Sequence, residues 1–91
     1  MATLLTAQGI SAEVKPKGKA FTLEELYGLI GCSTVEMVRL ADGRLMWLDE
    51  DGKSKQLPPN QKATELLMAA GGMPGDFVGG TVLLTTVKEG G

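Results

Sequence analysis

The sequence predicts an α+β fold, a small mixed or antiparallel sheet with two short helices. Three observations predict it. Two stretches place apolar residues at helical spacing behind a capping residue, Thr22 in one and Asn60 in the other. Two Asp-Gly dipeptides, Asp42-Gly43 and Asp51-Gly52, mark tight turns between apolar segments. Residues 81–87 are rich in Thr, Val and Leu, the composition of a buried strand. A chain of 91 residues makes one domain, 1–91, with a frayed tail expected over 88–91.

Residues 3–7 and 10–15 read as strands parted by Gly9. The second alternates Ile10, Ala12 and Val14 against Ser11, Glu13 and Lys15, a half-buried pattern. Residues 16–19 form a loop, with Pro16 and Gly18 as breakers. Thr22 and Glu25 then make a capping box, in which each side chain satisfies an orphan backbone donor of the other. Phe21 and Leu26 form the accompanying hydrophobic staple. Leu23, Leu26, Tyr27 and Ile30 share one face of the helix, which Gly31 ends.

The Asp-Gly turns divide the middle of the chain into strands over 34–41, 44–50 and 53–57. A two-residue turn at Asp42-Gly43 sets Leu40 opposite Leu45 and Val38 opposite Trp47. It sets Arg39 opposite Met46 and Met37 opposite Leu48 on the other side. Both faces of this hairpin are then largely apolar, whereas a half-solvated sheet alternates with polar residues. One face is expected to pack on the helices. The other needs a cover, for which a second copy of the chain is the first expectation and a ligand the second. Pro58-Pro59 ends the last of these strands. Asn60 caps a second helix with Ala63, Leu66, Leu67 and Ala70 on one face, and Gly71-Gly72 stops it. Gly79-Gly80 marks a bulge or a close approach of two backbones.

Composition removes several function classes. There is no histidine and a single cysteine, Cys32, so the usual zinc sites and an intrachain disulfide are out of reach. A serine or cysteine nucleophile would lack its usual histidine base, and no nucleophile-elbow pattern occurs. No enzyme activity, cofactor or metal is expected. A net charge of −2, with the charges mixed, gives no basic face for general nucleic-acid backbone binding. No apolar run approaches the roughly 20 residues of a membrane span, and the first residues carry no basic leader. A cytoplasmic protein is expected.

Four features carry candidate chemistry, each beside a plainer reading. The acidic run Asp49-Glu50-Asp51 could supply oxygens to a divalent cation, or simply solvate a hairpin tip. Gly71-Gly72-Met73-Pro74-Gly75 lacks the spacing of a phosphate loop and reads better as a connector. Asn60, Lys62 and Thr64 open a helix, where free N–H groups and partial positive charge suit an anion. Lys62 in that first turn is unfavourable for the helix alone, and a bound phosphate or carboxylate would relieve it. Trp47 could stack on a flat ligand or fill the core. Arg44, with Arg39 and Lys53, could add a local basic patch.

In order along the chain, Thr22, Glu25, Asp42, Gly43, Glu50, Gly52, Leu57, Pro58, Asn60, Ala63, Thr64, Asp76 and Gly80 resemble the motifs of a family known as domain of unknown function 3846. The likeness runs from about residue 14 to residue 85, with a doubled glycine near Asp76 as a departure. The family name implies no activity. It implies a setting, a phage- or plasmid-borne protein in a bacterial host cytoplasm. The expected function is a non-catalytic, homo-oligomeric binding protein that sequesters a small anionic, nucleotide-like signal of host defence. Its expected ligand-binding residues are Arg44, Trp47, Asn60, Lys62 and Thr64. The alternative is a protein-interaction module that blocks a host enzyme or regulator.

Overall fold

In the computed structural model, which describes residues 2–90, five short strands form one sheet. Along the chain the elements are β1 (Ala2–Leu5), β2 (Ser11–Val14), α1 (Leu23–Ile30), β3 (Val35–Arg39), β4 (Leu45–Asp49), α2 (Gln61–Ala69), β5 (Val82–Thr85) and α3 (Val87–Gly90). The order across the sheet is β2-β1-β5-β4-β3, and every neighbouring pair is antiparallel. The α+β expectation holds, with an antiparallel sheet and a third, one-turn helix.

Alternation along the strands splits the core in two. Leu5, Met46, Val82 and Leu84 point to one face, where Ala63, Leu66, Leu67 and Ala70 of α2 and its C-cap pack on them. Leu83 and Trp47 point to the other, against Phe21, Leu26 and Ile30 around α1. The central strand β5 is buried along its whole length, as its Val-Leu-Leu-Thr composition requires. Each helix therefore covers one face. Much of the doubly apolar hairpin is thus covered within the chain, while Met37 of β3 stays exposed. A 91-residue chain manages this because β4 and β5 lie at the middle of the sheet and α1 and α2 on opposite sides of it.

The α1 start forms as its sequence predicts. The Thr22 hydroxyl accepts from the Glu25 amide at 3.2 Å, and the Glu25 carboxylate accepts from the Thr22 amide at 3.0 Å. Phe21 and Leu26 are buried in one cluster, and Gly31 ends the helix at φ 81°. Leu23, expected on the buried face, is exposed.

Two further expectations fail, each for a physical reason. The β3–β4 turn is longer by one residue. The Leu40 amide donates to the Arg44 carbonyl at 2.8 Å and the Gly43 amide to the Leu40 carbonyl at 3.0 Å, leaving Ala41, Asp42 and Gly43 in the loop. Gly43 takes φ 91°, the left-handed residue that a three-residue hairpin loop requires. The register becomes Met37 opposite Trp47 and Val38 opposite Met46. The expected strand over 53–57 is absent. Residues 50–56 are turns instead, closed by the Lys55 amide on the Asp51 carbonyl and the Leu57 amide on the Gly52 carbonyl. Gly52 is needed there for close approach: a Cβ on it would sit 2.8 Å from the Gly79 carbonyl oxygen. This is the close backbone contact anticipated at Gly79-Gly80. Lys88 and Glu89, within the segment expected to fray, lie in the one-turn α3. Thr86 and Glu89 make a second capping box, and the Phe21 amide donates to the Glu89 carbonyl at 2.7 Å. Gly91 lies outside the described residues.

At the sheet margin, β2 packs on the α1 cluster through Val14 alone. Ile10 and Ala12 are exposed there, although their alternation pattern reads as half-buried.

Candidate functional site

The α2 start gathers most of the residues that the sequence marks out, and it does so around Asn60. This side chain is buried, and its hydrogen-bonding capacity is engaged on every side. Its carbonyl oxygen accepts from the Ala63 amide at 3.0 Å, which caps the helix. Its amide nitrogen donates to the Leu5 carbonyl and the Gly80 carbonyl, both at 3.0 Å. Thr64, one turn on, donates its hydroxyl proton to the Asn60 carbonyl at 2.8 Å and accepts from the Val78 amide at 2.9 Å. The Asn60 amide donates to the Val78 carbonyl at 2.7 Å and the Gly80 amide to the Pro58 carbonyl at 2.8 Å. Asn60 and Thr64 thus clasp α2, β1 and the segment 78–80 together. They are turned inward, away from any ligand at the surface.

Trp47 is also engaged within the fold. Its indole N–H donates to the buried Thr85 hydroxyl at 3.0 Å, and its ring packs on the α1 face of the sheet. α2 and Lys62 lie on the opposite side. Of the five expected ligand residues, Asn60 and Lys62 line a hollow of about 300 Å³ at the α2 start, and Lys62 also shares a groove with Arg44. Arg44 and Lys62, on different elements, line one open groove of about 420 Å³ on the α2 face. Leu5, Leu66 and Leu84 form its apolar floor, and Thr3 and Ser11 add hydroxyls. Glu65 is its one carboxylate. Arg44 is steadied by Asp42, whose carboxylate accepts from the Arg44 amide at 3.0 Å and from Nε at 2.7 Å. These bonds, the amide's first, hold the Asp42 carboxyl below its ordinary range. An arginine bonded through Nε keeps other donors of its guanidinium for an incoming anion.

A second groove, about 240 Å³, was not anticipated. It lies between the sheet, the turns at 50–56 and the segment 76–79, with Glu36, Glu50, Asp76 and Phe77 around it. Lys53, expected near Arg44, is here instead. It bonds Asp76, holds that carboxyl below its ordinary range, and lies 5.2 Å from the Phe77 ring centre. The acidic run is split between jobs. Asp49 is buried, accepting from Lys55 Nζ at 2.7 Å and from the Asp51 amide at 2.8 Å. The Asp49 bond raises the Lys55 ammonium above its ordinary value. Asp51 accepts from the Thr34 hydroxyl at 3.2 Å. Among the described residues no group of three or more carboxylate, thiol or imidazole side chains converges to hold a metal ion. Cys32 is partly buried, and that burial raises its thiol above the ordinary value, against reactivity as a thiolate. No local sequence pattern marks the second groove, which forms only where residues from β3, β4 and two distant loop segments meet.

Among the described residues no helix is long and apolar enough to cross a membrane. A family model described as a domain of unknown function (DUF3846) matches residues 3–91. No curated protein and no solved structure matches the chain.

Proposed function

We propose, for a chain that belongs to the domain of unknown function 3846 family, a non-catalytic binding role in which a small anionic ligand sits between Arg44 and Lys62. The observation that supports it most is that these two cations, distant in sequence, flank one groove with an apolar floor and two hydroxyls. That combination suits a phosphate or carboxylate attached to a flat or apolar body, a nucleotide among them. Asn60 and Thr64 act behind the site, fixing the helix that carries Lys62. In the phage and plasmid setting that the motifs suggest, a nucleotide-like host signal is the class to test first. Sequestering such a signal needs affinity alone.

Titration calorimetry of the whole chain against inorganic phosphate and a panel of linear and cyclic nucleotides tests this reading. One panel member is expected to bind and to be recovered unchanged after denaturation. Arg44→Ala and Lys62→Ala are each expected to weaken it about tenfold or more, the loss of one charged hydrogen bond. Both variants should melt within a few degrees of the parent, because exposed substitutions change stability by about 0.5 kcal/mol or less. Binding by no member of the panel, or equal binding by both variants, overturns the assignment.

A second reading, docking on another protein, is favoured by Met73 and Phe77. Both are exposed apolar side chains on the loop that closes the acidic groove. It predicts a host protein whose capture is lost in Phe77→Ala and kept in Lys62→Ala.

A further inference from the structure

The two margins of the sheet differ in one respect that bears on self-association, independently of any ligand. At β2 the Thr6 amide donates to the Ile10 carbonyl at 2.9 Å, so Thr6 and Ile10 form a hydrogen-bonded pair. The same register pairs Leu4 with Ala12 and Ala2 with Val14. In an antiparallel ladder the backbone groups of alternate residues face alternate neighbours. Those of Ala12 and Val14 therefore turn inward to β1, and those of Ser11, Glu13 and Lys15 turn outward, where no strand lies among the described residues. Pro16 falls in the inward set, so its missing N–H leaves the outer ladder intact.

We propose that β2 pairs antiparallel with β2 of a second copy, with Val14 on the two-fold axis. In that register Glu13 of each copy lies directly opposite Lys15 of the other, twice by symmetry. Glu13 and Lys15 are both exposed, and neither makes an ion pair among the described residues. Moving the axis by one residue sets Glu13 against Glu13, or Lys15 against Lys15, and like charges directly opposite are destabilising. The strand thus carries charges that complement one register of itself and oppose the adjacent ones. On the other face the two Val14 side chains meet at the axis. Each adjoins an apolar groove of about 460 Å³ beside Gly28 and Leu29 of α1, so the pairing joins two half-covered grooves.

The opposite margin offers no such match. The bond from the Leu40 amide to the Arg44 carbonyl turns the groups of Val35, Met37 and Arg39 outward. Its two charged residues, Glu36 and Arg39, point to opposite faces of the sheet. A two-fold axis normal to the sheet pairs residues on a shared face, so it cannot set them opposite each other.

Sedimentation velocity on the whole chain tests the pairing. The parent is expected to approach dimer mass as concentration rises. Glu13→Lys and Lys15→Glu should each weaken dimerisation about tenfold or more by putting like charges opposite. The combined Glu13→Lys and Lys15→Glu variant should restore it. A second measurement is independent of charge. Val14→Cys in a Cys32→Ser background should form a disulfide dimer on mild oxidation, since a non-hydrogen-bonded antiparallel pair brings Cβ atoms to about 4.5–5.5 Å, within reach of a bridge after slight adjustment. A parent that stays monomeric up to about 1 mM, a dimer unaffected by Glu13→Lys, or failure of both the charge swap and the cross-link overturns the proposal.

Discussion

The two helix starts look alike in the sequence and do different work in the fold. Thr22 and Asn60 each cap a helix by accepting from the amide three residues on. Thr22 stays at the surface, and its partner Glu25 is one turn away. Asn60 is buried, and its two further bonds reach Leu5 and Gly80, 55 and 20 residues distant in the chain. The first cap stabilises a helix. The second also closes the fold, because without it two buried carbonyls each lose a hydrogen bond. A capping signal therefore reports where a helix begins and is silent on what else the side chain holds.

Asn60→Ala should show the largest effect. It removes a cap and takes a buried hydrogen bond from each of two carbonyls, a loss of about 3 kcal/mol or more, or upwards of 12 °C in Tm for a domain of this size. Asn60→Asp sharpens the comparison, since it keeps the cap acceptor and loses both donors. Most of the loss should persist in thermal unfolding; recovery to parental stability would reduce Asn60 to an ordinary cap. Gly52→Ala comes next. Its Cβ would press on the Gly79 carbonyl, and relief needs a backbone shift, about 2 kcal/mol in denaturant unfolding. Thr22→Ala should cost about 1 kcal/mol, the loss of an exposed local cap. An equal loss for Thr22→Ala and Asn60→Ala would break the distinction between the two starts.

The smallest effect is a pH dependence. The backbone amides of Thr22 and then Lys17 hold the Glu25 carboxyl below its ordinary value. A depressed folded-state value means that the unfolded chain binds the proton more readily. The contribution is therefore fully present above the ordinary carboxylate range, about pH 4.3, and is lost as pH falls through the folded-state value. Thr86 acts likewise on Glu89 through its backbone amide, and Lys53 on Asp76, so acid weakens several surface fastenings over one window. Acid unfolding of Glu25→Gln should show a shallower slope below pH 5 than the parent; an unchanged slope would remove Glu25 from that set.

Local signals were read well and long-range ones were not. The α1 capping box, its Gly31 stop and the buried Val-Leu-Leu strand were legible because each rests on contacts within a few residues. The Thr86–Glu89 box is equally local, and the prior that chain ends fray concealed it. The Asp42-Gly43 register failed because an Asp-Gly pair suits both a two-residue and a three-residue loop, and one residue of difference exchanges the faces. At Asp51-Gly52 the glycine reads as turn chemistry, while the fold uses it to let two backbones touch.

The candidate site divides along the same line. Arg44 and Lys62 were legible as cations, but their shared groove depends on α2 crossing the sheet beside β1 and β5. Asn60 and Thr64 were legible as a helix start, yet burial turned their polar atoms inward.

By itself the sequence determined the presence of α1, α2 and the five strands, the ends of α1, the start of α2 and the range of chemistry open to a chain without histidine. These follow from backbone sterics, local hydrogen bonds and composition, which need no distant partner. The tertiary structure alone decided which faces α1 and α2 cover, which polar groups become internal and which cations meet. Those outcomes depend on burying apolar area and pairing every buried donor and acceptor across the whole chain at once, a constraint that no local window contains.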